Sequence, residues 1–249
     1  MKRLRQALGF LTVFPVRLAE SPQPGDMGRA AAWFPWIGLL IGALVWLAKY
    51  SLDKLFSALV SAGLCVALWA ILTGGLHLDG LADCCDGLLN ASTPERRLEI
   101  MRDSRLGSFG AIGLILFLIL KTAALASLPA FPQGLAVLLS AVVGRWLILW
   151  AARQPLARPG GLGADFALGL EKRTIILAAI LPAVLTLILT FLSGWRTLIA
   201  VALAHLAAWG IFRAARARLG GVTGDVYGLT VEISELVILL GYAARLSAI

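Results

Sequence analysis

Residues Leu55–Gly87 read LFSALVSAGLCVALWAILTGGLHLDGLADCCDG, an apolar run followed by two glycines and then three aspartates within eight residues. Leu55–Thr73 reads as a membrane-spanning helix. Asp79, Asp83 and Asp86 lie at i, i+4 and i+7, so on a helix all three project from one face. Like charges one turn apart repel by about 0.2–0.5 kcal/mol on an exposed helix, and the cost rises near lipid. A hard divalent cation removes that repulsion, and carboxylate oxygens are what Mg²⁺ prefers. The stretch is therefore expected to hold metal beside a membrane, with Asp79, Asp83 and Asp86 as ligands and phosphate groups as its substrates. If the helix ran straight on from Thr73 through Asp86, its rise would carry the motif up to roughly 20 Å beyond the span. Gly74, Gly75 and Gly80 allow a bend or a close backbone approach instead.

Composition agrees with a membrane protein. The chain has 249 residues, of which 59% are hydrophobic and 14% charged, with a mean hydropathy of +0.87. A water-soluble domain carries about 25% charge. The net charge of +8 is not a nucleic-acid signature, because the basic residues fall between hydrophobic runs. Met1–Gln6 is basic, but no small-residue cleavage site follows a short apolar core, so no signal peptide is expected. Cys65, Cys84 and Cys85 offer no C-x-x-C pair, which argues against zinc and redox chemistry.

Apolar helices are expected near Trp33–Leu47, Leu55–Thr73, Phe109–Leu128, Leu135–Ala152, Thr174–Leu192, Leu198–Phe212 and Leu229–Ala244, the first tilted or broken at Pro35. This gives an all-α, polytopic bundle of about seven transmembrane helices, in a single domain over residues 1–249. Ala91–Ser108, Arg153–Arg173 and Arg213–Gly228 are expected as long polar loops. Placing those loops on one side puts sixteen basic residues there: Lys2, Arg3, Arg5, Arg17, Arg29, Arg96, Arg97, Arg102, Arg105, Arg153, Arg158, Lys172, Arg173, Arg213, Arg216 and Arg218. Only Lys49, Lys54, Arg196 and Arg245 fall on the other, where the joints Pro129–Gln133 and Ser193–Thr197 are short. The excess assigns the long loops, and with them the chemistry, to the cytoplasm.

Other clusters carry candidate chemistry. Met101–Gly107 contains Arg102, Asp103, Ser104 and Arg105; guanidinium forks bind phosphate oxygens, while the plainer role is an anchor for the next span. Gly220–Gly228 is a glycine-dense turn with Thr223 and Asp225, followed by Glu232 and Glu235 at the start of the last span. Asp225 and Glu232 are expected to approach the Asp79–Asp86 helix and complete a metal or phosphate site, while Glu235 is expected to face a polar cavity. Arg158 precedes Gly160–Gly161, a possible phosphate loop that is weak evidence alone. Lys121 and Arg145 are intramembrane cations, and Arg145 calls for a carboxylate or a ligand. His77 lies off the aspartate face and suits a supporting or structural donor. His205 suits a satisfied core histidine, and the eight tryptophans suit interfacial belts.

Together the Gly74–Gly87 string, Leu98–Gly107 and Gly220–Gly228 with Glu232 and Glu235 resemble the cobalamin synthase family, the adenosylcobinamide-GDP ribazoletransferases. Thr12 with Pro15, Phe34–Pro35 with Gly38, Lys121, Arg145, and Arg158 with Gly161–Gly163 fall where that pattern expects them. The resemblance covers nearly the whole chain and is poorest from Arg17 to Arg29. It implies Mg²⁺-dependent joining of adenosylcobinamide-GDP to α-ribazole or its 5′-phosphate, with release of GMP, in the bacterial inner membrane. Asp79, Asp83 and Asp86 would hold metal, joined by Asp225 and Glu232. Catalytic carboxylates would come from Asp83, Asp103 and Asp225, with Asp103 or Asp225 taking the hydroxyl proton. His77, Arg102, Ser104, Arg105, Lys121, Arg145, Arg158 and Thr223 would contact substrate. A homo-oligomer is compatible with this arrangement. Two other classes use similar residues. A CDP-alcohol phosphotransferase would need an Asp-x-x-Asp-Gly start and an Ala-Arg pair, absent at that spacing. A cation-coupled carrier would be expected to show an inverted repeat, and none is visible.

Overall fold

The computed structural model describes residues 1–17, 23–128 and 130–244, without the side chains of residues 130–133 and 162. The expected joint at Pro129 and the far-side Arg245 lie outside the described residues. Those residues form helices α1 (Lys2–Leu11), α2 (Asp26–Ala30), α3 (Phe34–Leu52), α4 (Ala58–Leu72), α5 (Leu76–Leu89), α6 (Pro94–Ile100), α7 (Ser108–Ser127), α8 (Ala130–Ala151), α9 (Gly161–Leu168), α10 (Lys172–Ser193), α11 (Arg196–Leu219) and α12 (Gly224–Ala243). No strand occurs among them, only an isolated bridge between Leu156 and Val222. Six helical stretches are long and apolar enough to cross a membrane, and α4 with α5 makes a seventh if taken as one bent span.

Helices suit this environment because each satisfies its own backbone hydrogen bonds without water. The most enclosed is α8, where Leu139, Val142, Val143, Leu147 and Leu149 are fully buried. It packs against α3 and α12. Gly38 and Gly42, one turn apart on α3, let the two backbones touch: a Cβ on Gly38 would come within 2.4 Å of the Ala141 carbonyl oxygen. Small residues spaced this way are how membrane helices approach closely without a hydrophobic driving force. At the periphery the pattern inverts. Ile112, Ile115, Leu116 and Ile119 of α7, and Leu187, Ile188 and Phe191 of α10, are exposed, as lipid-facing residues must be.

Four sequence-based expectations change. The span starting near Trp33 is neither short nor broken; Pro35 sits in the first turn of α3, where a missing N–H is harmless. The straight continuation beyond Thr73 does not occur: Gly74 and Gly75 adopt φ of +60° and +70°, and α5 leaves α4 at 93°. The expected loop Ala91–Ser108 contains α6, and Arg153–Arg173 contains α9. Arg213–Gly228 is mostly helical as well, since α11 runs on to Leu219 and stops at Gly220 in a left-handed C-cap, φ +80°.

Candidate functional site

Two glycine contacts fix the geometry. Gly80 of α5 meets α12 so tightly that a Cβ there would lie 2.7 Å from the Asp225 carbonyl oxygen and 3.2 Å from the Gly228 Cα. On the other side, Gly221 abuts Pro155–Ala157, and the segments are tied by Val222 N–H to Pro155 O (2.8 Å) and Ala157 N–H to Val222 O (3.0 Å). The first contact sets Asp225 beside the aspartate helix. The second sets Arg158 beside Thr223 and Asp225.

A cavity of about 420 Å³ opens between these elements. Of the residues expected at a site, His77, Asp79, Arg158, Thr223 and Asp225 line it, together with Gly160, Gly161 and Gly163. Asp79 is exposed and Asp83, one turn further along α5, half-buried. Among the described residues neither carboxylate makes a hydrogen bond or ion pair. Asp83 feels the negative charges of Asp79, Asp225 and Asp86. Asp225 accepts a hydrogen bond from the Thr223 hydroxyl at 3.0 Å and has Arg158 and Asp79 as charged neighbours. Among the described residues Arg158 Nη1 is buried without a partner, and so is Nδ1 of His77. Buried polar atoms without a partner are rare in native interiors, and both of these residues line the cavity.

The amino ends of two helices converge here. α9 begins at Gly161 and α12 at Gly224, and a Cβ on Gly163 would lie 3.2 Å from the Gly224 nitrogen. Helix N-termini present free N–H groups and a partial positive charge, which suits phosphate. Gly160 and Gly161 both have positive φ, +78° and +81°, a conformation that side chains other than hydrogen resist.

Asp86 has other partners. It is buried, and its two carboxylate oxygens accept the N–H groups of Gly107 and Gly110, each at 2.8 Å. It caps the amino end of α7 from a neighbouring helix. Among the described residues no three carboxylate, imidazole or thiol side chains form a ready metal cage. The donors that remain open, Asp79 and Asp83 with Asp225 beside them, have the hard-oxygen chemistry of a Mg²⁺ site.

Glu232 is placed away from this group. It ion-pairs with Lys121 at 2.8 Å, and Lys121 also reaches Glu235 at 2.5 Å. Arg145 pairs with Glu235, and Lys121 lies 4.3 Å over the Trp69 ring. Arg145 thus has the carboxylate its position demands. All four charged groups are buried and balance to zero between α7, α8 and α12. Arg102, Asp103, Ser104 and Arg105 do not line the cavity. Asp103 is held by Arg105 at 2.6 Å, which keeps its carboxyl down at about 2. His205 is satisfied within the bundle, its Nδ1 bonded to Val201 O at 2.8 Å and its Nε2 accepting from Trp146 Nε1 at 3.3 Å.

Residues 3–243 match the cobalamin-5-phosphate synthase family. The chain belongs to this family. A ribazoletransferase acting on adenosylcobinamide-GDP in Desulfitobacterium hafniense (strain Y51) is 40% identical, covering 97% of this chain and 96% of the relative. Its counterparts in Ectopseudomonas mendocina (strain ymp) and Pseudomonas putida (strain W619) are 42% and 40% identical. These cover 97% and 95% of this chain, and 98% and 96% of their own lengths. No solved structure matches the chain. It is thus a transferase of the cobalamin-5-phosphate synthase family with a multi-pass helical membrane fold.

Several walls of the cavity in this family member escape a sequence reading. Phe10 and Met27 arrive from the amino-terminal helices, Phe166 from α9 and Tyr227 from α12. Tyr227 donates to Gly163 O at 3.3 Å, locking α12 to α9. Asp165 accepts the Gly25 N–H at 2.9 Å, holding the start of α2. The only sequence signal for that contact was the run Gly160–Gly163, which announces a turn and not its partner.

Proposed function

We propose that this chain transfers the phosphocobinamide group of adenosylcobinamide-GDP to α-ribazole, or to its 5′-phosphate, releasing GMP. The observation that carries the reading is the cavity in which Asp79, Asp225, Arg158 and two helix amino ends meet. It offers acceptors for a cation and donors for a pyrophosphate in one place. Mg²⁺ bound by Asp79 and Asp83 would neutralise the phosphate oxygens and stabilise the leaving phosphate.

The chain's own groups then have distinct tasks. Arg158, whose Nη1 has no partner among the described residues, and the amides at Gly161 and Gly163 bind the non-bridging oxygens. The ribazole hydroxyl oxygen forms a bond to the phosphorus next to the cobinamide arm, while the bond from that phosphorus to GMP breaks. Asp225 takes the hydroxyl proton, and Thr223 orients its carboxylate. Asp103 is a poor base in comparison, because Arg105 keeps it ionised to very low pH. The apolar walls, Phe10, Met27, Ile148 and Phe166, shield the reacting groups from water and offer surface to the macrocycle. Lys121 and Arg145 hold α7, α8 and α12 together and support the site from outside it. The excess of basic residues in the long loops, Arg153–Arg173 and Arg213–Gly228 among them, supports a cavity that faces the bacterial cytoplasm.

Detergent-purified protein with adenosylcobinamide-GDP, α-ribazole and Mg²⁺ tests this. The expected result is cobalamin and GMP in equal amounts. Absence of both products, with the protein folded and Mg²⁺ varied, would overturn the assignment.

A further inference from the structure

A second cavity, of about 530 Å³, lies where α10 meets the entrance to α3. Its lining includes Arg3 of α1, Arg29 of α2 and Arg173 in the first turn of α10, and, further along α10, Leu177, Ile180 and Leu181. Trp33 and Trp36, both exposed, flank it. Glu171 is the one acid in its lining, so the head of the groove carries a net positive charge. Arg29 is tied to Asp26 at 2.7 Å. Arg3 and Arg173 have no ion pair among the described residues.

We propose that this groove binds an anionic phospholipid of the bilayer. Leu181 follows Arg173 by eight residues, which places the apolar end roughly 12 Å deeper along the helix axis. A cationic head joined to an aliphatic tail of that depth matches a phosphate diester joined to an acyl chain. Guanidinium groups bind such a phosphate, and basic pockets between membrane helices hold anionic head groups. Tryptophan favours this level of the bilayer. A zwitterionic lipid would bring its ammonium towards the surplus guanidinium charge. Free phosphate would leave the aliphatic end unfilled.

The groove shares α1 and α2 with the reaction cavity, which takes Phe10 and Met27 from them. A lipid bridging Arg3, Arg29 and Arg173 therefore braces two walls of that cavity from behind.

Native mass spectrometry of the full chain, titrated with phosphatidylglycerol or phosphatidylcholine of matched chains, tests the proposal. Wild type is expected to retain one phosphatidylglycerol at least tenfold more tightly than phosphatidylcholine. R3Q/R173Q is expected to weaken phosphatidylglycerol roughly 30-fold, the contribution of two arginines near a membrane surface. Phosphatidylcholine should be unaffected. R153Q/R213Q removes the same charge elsewhere and should retain the anionic lipid; both positions are exposed and outside the groove. If R3Q/R173Q does not fold, R173Q alone carries the comparison, since Arg173 is also exposed. Equal retention of the two lipids, an equal loss in the R153Q/R213Q control, or displacement by inorganic phosphate at millimolar levels would overturn it.

Discussion

Gly80 lies directly against the backbone of Asp225, leaving no room between α5 and α12 for even a methyl group. That contact joins segments 145 residues apart by the difference of their numbers and gives the site its second carboxylate source. G80A is expected to push α5 from α12, at about 1–3 kcal/mol for an overpacked contact. It should lower kcat more than it raises KM for adenosylcobinamide-GDP. A variant with wild-type turnover would show that the two helices need not touch.

Asp83 and Asp86 are expected to separate by experiment. D83N removes a half-buried carboxylate with no partner among the described residues, so the melting temperature should hold while turnover falls at least about 100-fold. D86N disturbs the cap on α7, at about 1.5–3 kcal/mol for hydrogen bonds to a charged group, and should melt several degrees lower. Equal melting temperatures would remove the capping role from Asp86.

Metal removal gives a third check. Chelation should stop GMP release and leave the helical circular dichroism unchanged, with activity restored by Mg²⁺. Mn²⁺ titrated into wild type should give a bound electron paramagnetic resonance signal that D79N/D83N lacks. An unchanged Mn²⁺ affinity in that variant would place the ion elsewhere.

K121M leaves Glu232 buried without its cation, at about 3–5 kcal/mol. The double variant K121M/E232Q is expected to recover much of the lost thermal stability. No recovery would mean that Lys121 acts through Trp69 or Glu235 alone.

The orientation is open to cysteine labelling. In a background lacking Cys65, Cys84 and Cys85, A91C should resist a membrane-impermeant maleimide in intact cells and react after permeabilisation. Labelling of intact cells would reverse the assignment.

What was legible in the sequence follows the physics of each signal. Apolar runs found six spans, because the bilayer imposes a minimum length on each; the run Leu55–Thr73 gave the 15-residue α4, which is long enough only together with α5. The i, i+4, i+7 aspartates found α5, because a helix is the simplest way to align them. The identity of neighbours was harder. Asp86 and Glu232 carry the same carboxylate group as the cavity aspartates, and sequence spacing cannot show that one meets two glycine amides and the other a lysine 111 residues away. Helices α6 and α9 were hidden in loops because they are too short to show an apolar stripe. Phe10 and Met27 reach the cavity only through the tertiary path of α1 and α2.

The buried charges impose an order on biosynthesis. Lys121 and Arg145 leave the ribosome 114 and 90 residues before Glu235, their common partner. Until the last helix is made, α7 and α8 enter the bilayer as carriers of unmatched cations, each at a cost of about 2.5–3.5 kcal/mol. Arrival of α12 neutralises both and simultaneously delivers Asp225 to the aspartates of α5. A chain interrupted before α12 would therefore carry two unmatched buried cations and would lack the carboxylate that Asp225 brings beside the aspartates of α5.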